Sequence, residues 1–434
     1  MNTIATLSDH ELLSIIAAAY DKHQWSTVVE LTDAWLESRG TMPPGACHFR
    51  SAGLQGLGEY EAALAWGGLA CKVTPLSTKP KEAERTMFVS TRIGMGMCFA
   101  RLGQWDDALR FFRAALRVPT KDPYVAVAQA HLRLAISDSW KKAWREHEQR
   151  IGTDRSPVLP NIPEWDGKPT DGPVVVLHEQ GIGDAVLFAR WLPWIAEQSG
   201  HPVIWAGPKF LHRWIAAIPG VGSVVPPEAA LLEKVGEGAT DVRLVLGSCV
   251  TRAMTAPYLH GTTRKSIPAV QAPPLEKPVR RGPMRVGVCW AGAASGHHDF
   301  ERSIPVEDFA LLWEGSLPVE WVSLQYATEP PEGAPFTAMP TGDVYETGER
   351  VRSCDLVVTV DTSILHIAGS LGIPTLCLTP TTPDWRYPHW PDGDQTPWYP
   401  SVSLIRRDNA RATADQVRTA RALLELLVQS RYPR

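Results

Sequence analysis

The sequence lacks the features that would classify it at a glance. Its seven cysteines are scattered, with no CxxC pair and no other metal-ligand spacing. An odd, dispersed set argues against a disulfide framework or a zinc knuckle and fits a reducing cytoplasm. No apolar run reaches the roughly 18 residues that a membrane-spanning helix needs. The first residues, MNTIATLSDHELL, have no basic stretch leading into an apolar core, so no signal peptide is expected. Charge of one sign is never concentrated, and the formal net charge is −4. A general nucleic-acid surface or a basic membrane patch is therefore not expected. What is present is ordinary globular composition, 44% hydrophobic and 21% charged over 434 residues. That is room for about two to four domains. Tryptophan is plentiful, at 17 residues.

A repeat occupies the first third. LGEYEAAL (57–64) and LGQWDDAL (102–109) share Leu, Gly, an aromatic, Ala and Leu in register, and Ala70 and Ala115 keep the same offset. A looser copy, HQWSTVVELTDAW (23–35), matches through Trp25 and Val28. Gly suits a tight turn between helices, and the small residue suits their contact. The pattern resembles the tetratricopeptide repeat over about residues 10–150, with its period of about 34 residues stretched between the second and third copies. The extra residues fall around TPLSTKPKEAE (74–84), which reads as a longer turn. Such units stack into a curved surface suited to docking a peptide or protein. A helical spacer or a surface for self-association is the blander alternative.

The texture changes at 153–172. TDRSPVLPNIPEWDGKPTDGP carries five prolines and reads as a linker, with Trp165 as its anchor. Beyond it, PVVVL, HPVIWAG and DVRLVLGS read as strands separated by helices. After the Pro-rich stretch 268–283 the alternation restarts at MRVGVCWAG and continues through WVSLQY, DLVVTV and TLCLT. Alternation of this kind implies parallel sheets with helices on both faces, and ligands at the carboxyl ends of the strands.

HEQGIGD (178–184) ends the first such strand. It is not a dinucleotide fingerprint, because the third glycine would fall on Val186 and no acid follows VIWAGP. Gly181 and Gly183 would let the loop pass close to a substrate, and Asp184 would face the cleft. Asp184 as a helix cap is an equal reading on these residues alone. In the second half, DLVVTVDTSILHIAGSLGIPTLCL (355–378) places a helix start after a strand. Its backbone N–H groups, with the hydroxyls of Thr362 and Ser363 and with His366 one turn on, suit a phosphate. Asp361 would fix the loop or hold a ligand hydroxyl.

GIGDAVLFARWLP, the segment WAG…RSIP (290–305), VDTSILHIAGSLGIP and PDWRY together resemble the heptosyltransferase type of glycosyltransferase, family 9, and above all its bacterial members with tetratricopeptide repeats. The resemblance covers nearly the whole chain. It implies an α + α/β protein: helical repeats at 1–152, a linker at 153–172, Rossmann-like domains at 173–275 (acceptor side) and 283–410 (donor side), and a terminal helix within 411–434 returning to the first Rossmann domain. The two α/β domains would form a GT-B fold with the site in the cleft between them. The implied activity is inverting transfer of a sugar from a nucleotide-diphosphate donor to a protein or glycan, with no metal or other cofactor. Asp184 falls where the family has its base, and Glu179 is a second candidate. Asp361, Thr362, Ser363 and His366 fall on the donor diphosphate stretch, with Gly292 nearby and Arg302 as the cation. Trp385 and Arg386 would contact the base or sugar, with a packed loop as the equal alternative, and His297 and His298 are further loop candidates.

The chemistry is consistent with these assignments. A closed cleft would raise the Asp184 pKa toward neutrality and suit it to take the acceptor proton. Helix N–H groups and Arg302 would meet the charge on the leaving diphosphate. The single DxD, Asp392-Gly393-Asp394, reads as a turn. The expected partners are the donor, an acceptor docked on the repeats, and a second copy of the chain through the repeats. A repeat-based scaffold with an inactive transferase half is the alternative, and a donor-hydrolysis assay would separate the two.

Overall fold

The chain is described from a computed structural model covering residues 6–73, 79–136, 139–153, 163–227, 247–292, 299–326, 328–340, 342–382, 384–388 and 393–431. His297, His298, Asp392 and most of DVRLVLGS lie outside these residues. Two compact units make it up: the first runs to Arg133 and takes in the short segments 381–383 and Asp408–Ala410, and the second holds the rest of the chain from Leu134.

The first unit carries helices α1 (Asp9–Asp21), α2 (Trp25–Arg39), α3 (Pro44–Gly56), α4 (Tyr60–Val73), α5 (Glu82–Arg101), α6 (Trp105–Leu116) and most of α7 (Pro123–Ile136). Consecutive helices from α1 to α6 pack in pairs, and α1 rests on α3 and α3 on α5, as in a stack of helical hairpins. Each repeat signature does what its residue types allow. Gly58 and Gly103 take the left-handed φ values of +82° and +77° in the turns. His23 holds the matching place in the first copy at φ 55°, where an L residue pays about 1–2 kcal/mol. Val28, Ala63 and Ala108 are fully buried at the helix contacts.

The second unit holds two parallel sheets. The first contains β1 (Val174–Leu177), β2 (Val203–Ala206), β3 (Val221–Val225) and β4 (Cys249–Arg252), in the order β3-β2-β1-β4. The second contains β5 (Met284–Cys289), β6 (Val319–Ser323), β7 (Leu356–Val360), β8 (Thr375–Thr379) and β9 (Val402–Arg406), in the order β6-β5-β7-β8-β9. The pairings between these strands are parallel, with Val175 opposite Ile204 and Val250, and Val288 opposite Val358 and Ser323. Strands such as VVVL and LVVTV are buried on both faces, which explains their unbroken β-branched runs. In each sheet the first strand has neighbours reached in opposite directions. β1 and β5 therefore stand at the topological switch points, where parallel sheets open a crevice.

Three helices frame that crevice: α9 (Ile182–Phe188) after β1, α11 (Val344–Arg352) before β7, and α12 (Ser363–Ser370) after it. Asp343 caps α11, accepting the Glu346 N–H at 2.8 Å. Between α9 and α11 in sequence lies α10 (Leu192–Ser199) on the first sheet.

Two expectations are corrected. Residues 134–152 belong to the unit of the two sheets rather than to the repeats. Their helix α8 (Trp140–His147) puts Trp140 and Trp144 into its core, with Trp140 stacked on Trp398 at 5.3 Å. The last helix, α13 (Thr413–Arg431), does not cross to the first sheet. Its buried face, Val417, Ala420, Leu424 and Val428, joins the core of the second sheet with Val286, Phe309 and Leu312. Trp165 anchors its segment as expected, donating to Lys168 O and pairing its backbone with Val250.

Among the described residues, no helix is long and apolar enough to cross a membrane.

Candidate active site

The carboxyl ends of β1, β5 and β7 open on one cavity of about 610 Å3. Gly181, Gly183 and Asp184 line it from the first sheet, and Gly292, Asp361, Thr362, Ser363 and His366 from the second. Arg302, from the short helix Asp299–Arg302, and Arg386 complete its charged wall. Most residues singled out from sequence therefore meet in one place, although they span some 200 positions of the chain.

Asp184 is the third residue of α9 and is only 8% exposed. Its Oδ2 accepts the Gly181 N–H at 3.3 Å, so it also serves the helix start. Its Oδ1 accepts from Arg386 Nη2 at 2.6 Å and Nε at 3.3 Å. Burial pushes the carboxyl up, but the guanidinium beside it prevails and holds its pKa below the usual value. The expected rise toward neutrality is thus reversed, because a cation from the second half reaches into the first.

Glu179 does not line the cavity. Its side chain, 8% exposed, pairs with buried Arg150 at 3.0 Å and accepts the Met254 N–H at 3.3 Å. Arg150 in turn holds Glu148 and Thr255. Glu179 thus pins the loop from behind, and its geometry is that of a structural acid.

The two loop glycines differ. A Cβ on Gly183 would stand 2.5 Å from the His366 ring, so this glycine lets α9 close on α12. It admits a histidine where the sequence suggested an acceptor. A Cβ on Gly181 would meet only Asp184 Oδ2, at 3.5 Å. The left-handed residue of the loop is Gln180, with φ 62°.

Around α12 the geometry suits an anion. Thr362 caps the helix, accepting the Ile364 N–H at 3.3 Å, and Ser363 opens its first turn. His366 lies 3.0 Å from the Tyr399 hydroxyl through Nδ1. Burial and then Arg386 push its pKa down to about 3, so its ring is neutral. Asp361 accepts from the Tyr387 hydroxyl, and burial and Asp384 push its pKa up, to about 6.

Trp385 is not placed to stack on a ligand. It is 2% exposed and packs edge-on against Trp144 and Trp398, part of an aromatic core that a Pro-bounded loop does not announce. Gln325 was missed. Its Oε1 accepts the N–H groups of Trp290 and Ala291, each at 3.0 Å, and its Nε2 donates to Ala291 O, so it fixes the loop that presents Gly292. The signal was a polar side chain just past a strand, at the end of WVSLQ, as in HEQ after VVVL. Phe210, Tyr326 and Met339 line the cavity too, without a motif to mark them. Gly393 sits in a left-handed turn at φ 60°, as the DxD reading expected of its neighbourhood. Among the described residues, no group of three or more His, Cys, Asp or Glu side chains could hold a metal ion.

Helical repeats followed by two Rossmann-like sheets around one cavity define the class as α + α/β. The chain is similar in fold to several solved structures. One is TibC of enterotoxigenic E. coli, described as a dodecameric iron-containing heptosyltransferase, in complex with ADP-D-beta-D-heptose. It is 13% identical with a TM-score of 0.38, over 60% of this chain and 78% of that one. Another is E. coli heptosyltransferase WaaC, 12% identical with a TM-score of 0.36, over 59% of this chain and 99% of that one. An O-GlcNAc transferase from Thermobaculum terrenum aligns over 96% of this chain and 90% of its own, at 11% identity and a TM-score of 0.32. No protein-family model and no curated protein matches the chain.

Proposed function

We propose that the protein is an inverting, metal-independent glycosyltransferase that moves a sugar from a nucleotide-diphosphate donor to a hydroxyl of a protein or glycan. The observation that carries this reading is the cavity that Asp184, a buried carboxylate paired with Arg386, shares with an anion-suited helix start and Arg302. The donor diphosphate lies at the first turn of α12, where backbone N–H groups lack intrahelical partners, and Arg302 meets its charge. The acceptor oxygen attacks the anomeric carbon from the opposite side. Its O–C bond forms as the bond from that carbon to the phosphate oxygen breaks, and the electron pair leaves with the diphosphate. Bonding to carbon makes the acceptor hydroxyl strongly acidic, so the proton passes late to Asp184. A carboxylate there need only be ionised and aimed. Developing charge on the diphosphate is met by fixed donors at no cost of reorganisation.

The repeats are assigned to docking the acceptor or a second copy of the chain. The seven unpaired cysteines fit a cytoplasmic location. ADP, GDP and UDP, tested in turn by calorimetry, provide the experiment. One of them should bind, and Arg302→Ala should weaken it by about 1.5–3 kcal/mol, as for a charge-assisted hydrogen bond. Binding of none would contradict the donor site, and an unchanged affinity would remove Arg302 from it.

A further inference from the structure

We infer that Arg386 is a positioning residue for Asp184: it keeps the buried carboxylate ionised while leaving one oxygen, Oδ2, for the acceptor proton. This rests on the reading of Asp184 as the base. The observation is one-sided pairing. Both guanidinium contacts, 2.6 Å from Nη2 and 3.3 Å from Nε, go to Oδ1. A fork spread over both oxygens would have engaged Oδ1 and Oδ2 alike. Here Oδ2 carries only a long bond from the Gly181 N–H, at 3.3 Å, and Asp184 lines the cavity.

The arm is itself held. Asp384 accepts the Arg386 backbone N–H at 2.7 Å and lies 3.3 Å from Nη1. The guanidinium sits over the Trp385 ring, 4.3 Å from its centroid, and the Thr396 hydroxyl donates to the Arg386 carbonyl at 3.0 Å. Trp385, which the sequence offered as a ligand contact, thus serves as the fixed platform for its neighbour. The side chains of Arg386 and Asp184 are 17% and 10% exposed, so water screens the pair little.

An uncompensated carboxyl this buried would hold its proton near neutral pH and could not accept another. The other charged or titratable groups around Asp184 do not replace Arg386. His178 and Glu179 share its loop, with Glu179 committed to Arg150. His366 and Tyr399 face it from the second sheet's half, Arg190 follows α9 and is committed to the carbonyls of Leu187 and Trp398, and Asp361 and Asp384 stand behind the guanidinium. His366 is neutral, and the carboxylates add charge of the wrong sign.

Carboxyl carbon NMR of the full chain, with 13C-labelled aspartate and the Asp184 signal assigned through Asp184→Asn, tests this without any substrate. In the unaltered protein Asp184 should titrate below the usual aspartate range. Arg386→Gln should raise its titration midpoint by roughly 1–3 pH units, the range for loss of a close opposite charge. Arg386→Lys keeps a cation and should recover most of that change. A signal in Arg386→Gln that titrates as in the unaltered protein overturns the inference. So do equal midpoints in the Gln and Lys variants, which would mean disturbed packing rather than a lost charge. If Arg386→Gln does not fold, the Arg386 side-chain 15Nε signal must move in Asp184→Asn, and an unmoved signal is equally fatal. Should the titration behave as expected while Asp184→Asn turns over normally, the ion pair stands and the assignment of the base falls.

Discussion

At the scale of the residue, two carboxylates of one loop are given opposite work by their neighbours. Glu179 faces Arg150 in a dry pocket, whereas Asp184 faces a cavity. Glu179→Gln keeps the shape but weakens a charge-assisted bond, so it should cost about 1–3 kcal/mol of stability. Donor turnover per folded molecule should stay near normal. Urea unfolding and a rate assay on the same preparation check both parts, and a stable but inactive variant would make Glu179 the base. The sequence made Asp184, Thr362 and Arg302 legible, because each stands just after a strand or at a helix end. It could not reveal which acid was occupied. Arg150 lies 29 positions from Glu179 and Arg386 lies 202 from Asp184, and no local pattern links such pairs. The same distance in sequence hid the downward pull on the Asp184 pKa.

At the scale of the element, the strand–loop–helix units were readable because unbroken β-branched runs mark buried parallel strands. β4 and β9 were not, since CVTR and VSLIR mix polar residues into short runs that become strands only when a neighbour supplies the ladder. The loop glycines illustrate a finer limit. Both looked like openings for a ligand, yet the space at Gly183 is filled by His366. Gly183→Ala should push α9 off α12 and cost about 1–3 kcal/mol by overpacking. Gly181→Ala, at φ −89° with only an ordinary contact, should be nearly neutral. Thermal melts of the two variants decide the matter, and equal losses would contradict the close helix contact as the reason for Gly183.

At the scale of the whole molecule, the division between units at Arg133–Leu134 sets where the chain can be cut. A chain beginning at residue 134 retains Trp140, Trp144 and Arg150. It should melt cooperatively and bind the same nucleoside diphosphate as the full protein. One beginning at residue 171 loses three core tryptophans, Trp140, Trp144 and Trp165, and leaves Glu179 buried without its cation. A broken buried pair alone costs about 3–5 kcal/mol, comparable with the whole stability of many domains. That shorter chain should not fold, and a cooperative melt from it would show that α8 is dispensable. The repeat signature announced the helical unit but not its end, because Trp140 and Trp144 on a short helix look the same whether they pack on a repeat or on a sheet.

The measurement that bears most directly on the proposed chemistry is the rate of sugar transfer by Asp184→Asn, in chelator-treated buffer, beside its affinity for the donor. Asn keeps the size and can still accept the Gly181 N–H, so the fold should survive. It cannot take the acceptor proton. Turnover should fall by about 10²- to 10⁴-fold while donor affinity stays similar. Near-normal turnover would reduce Asp184 to the helix-start role it also fills and would contradict the assignment of the base.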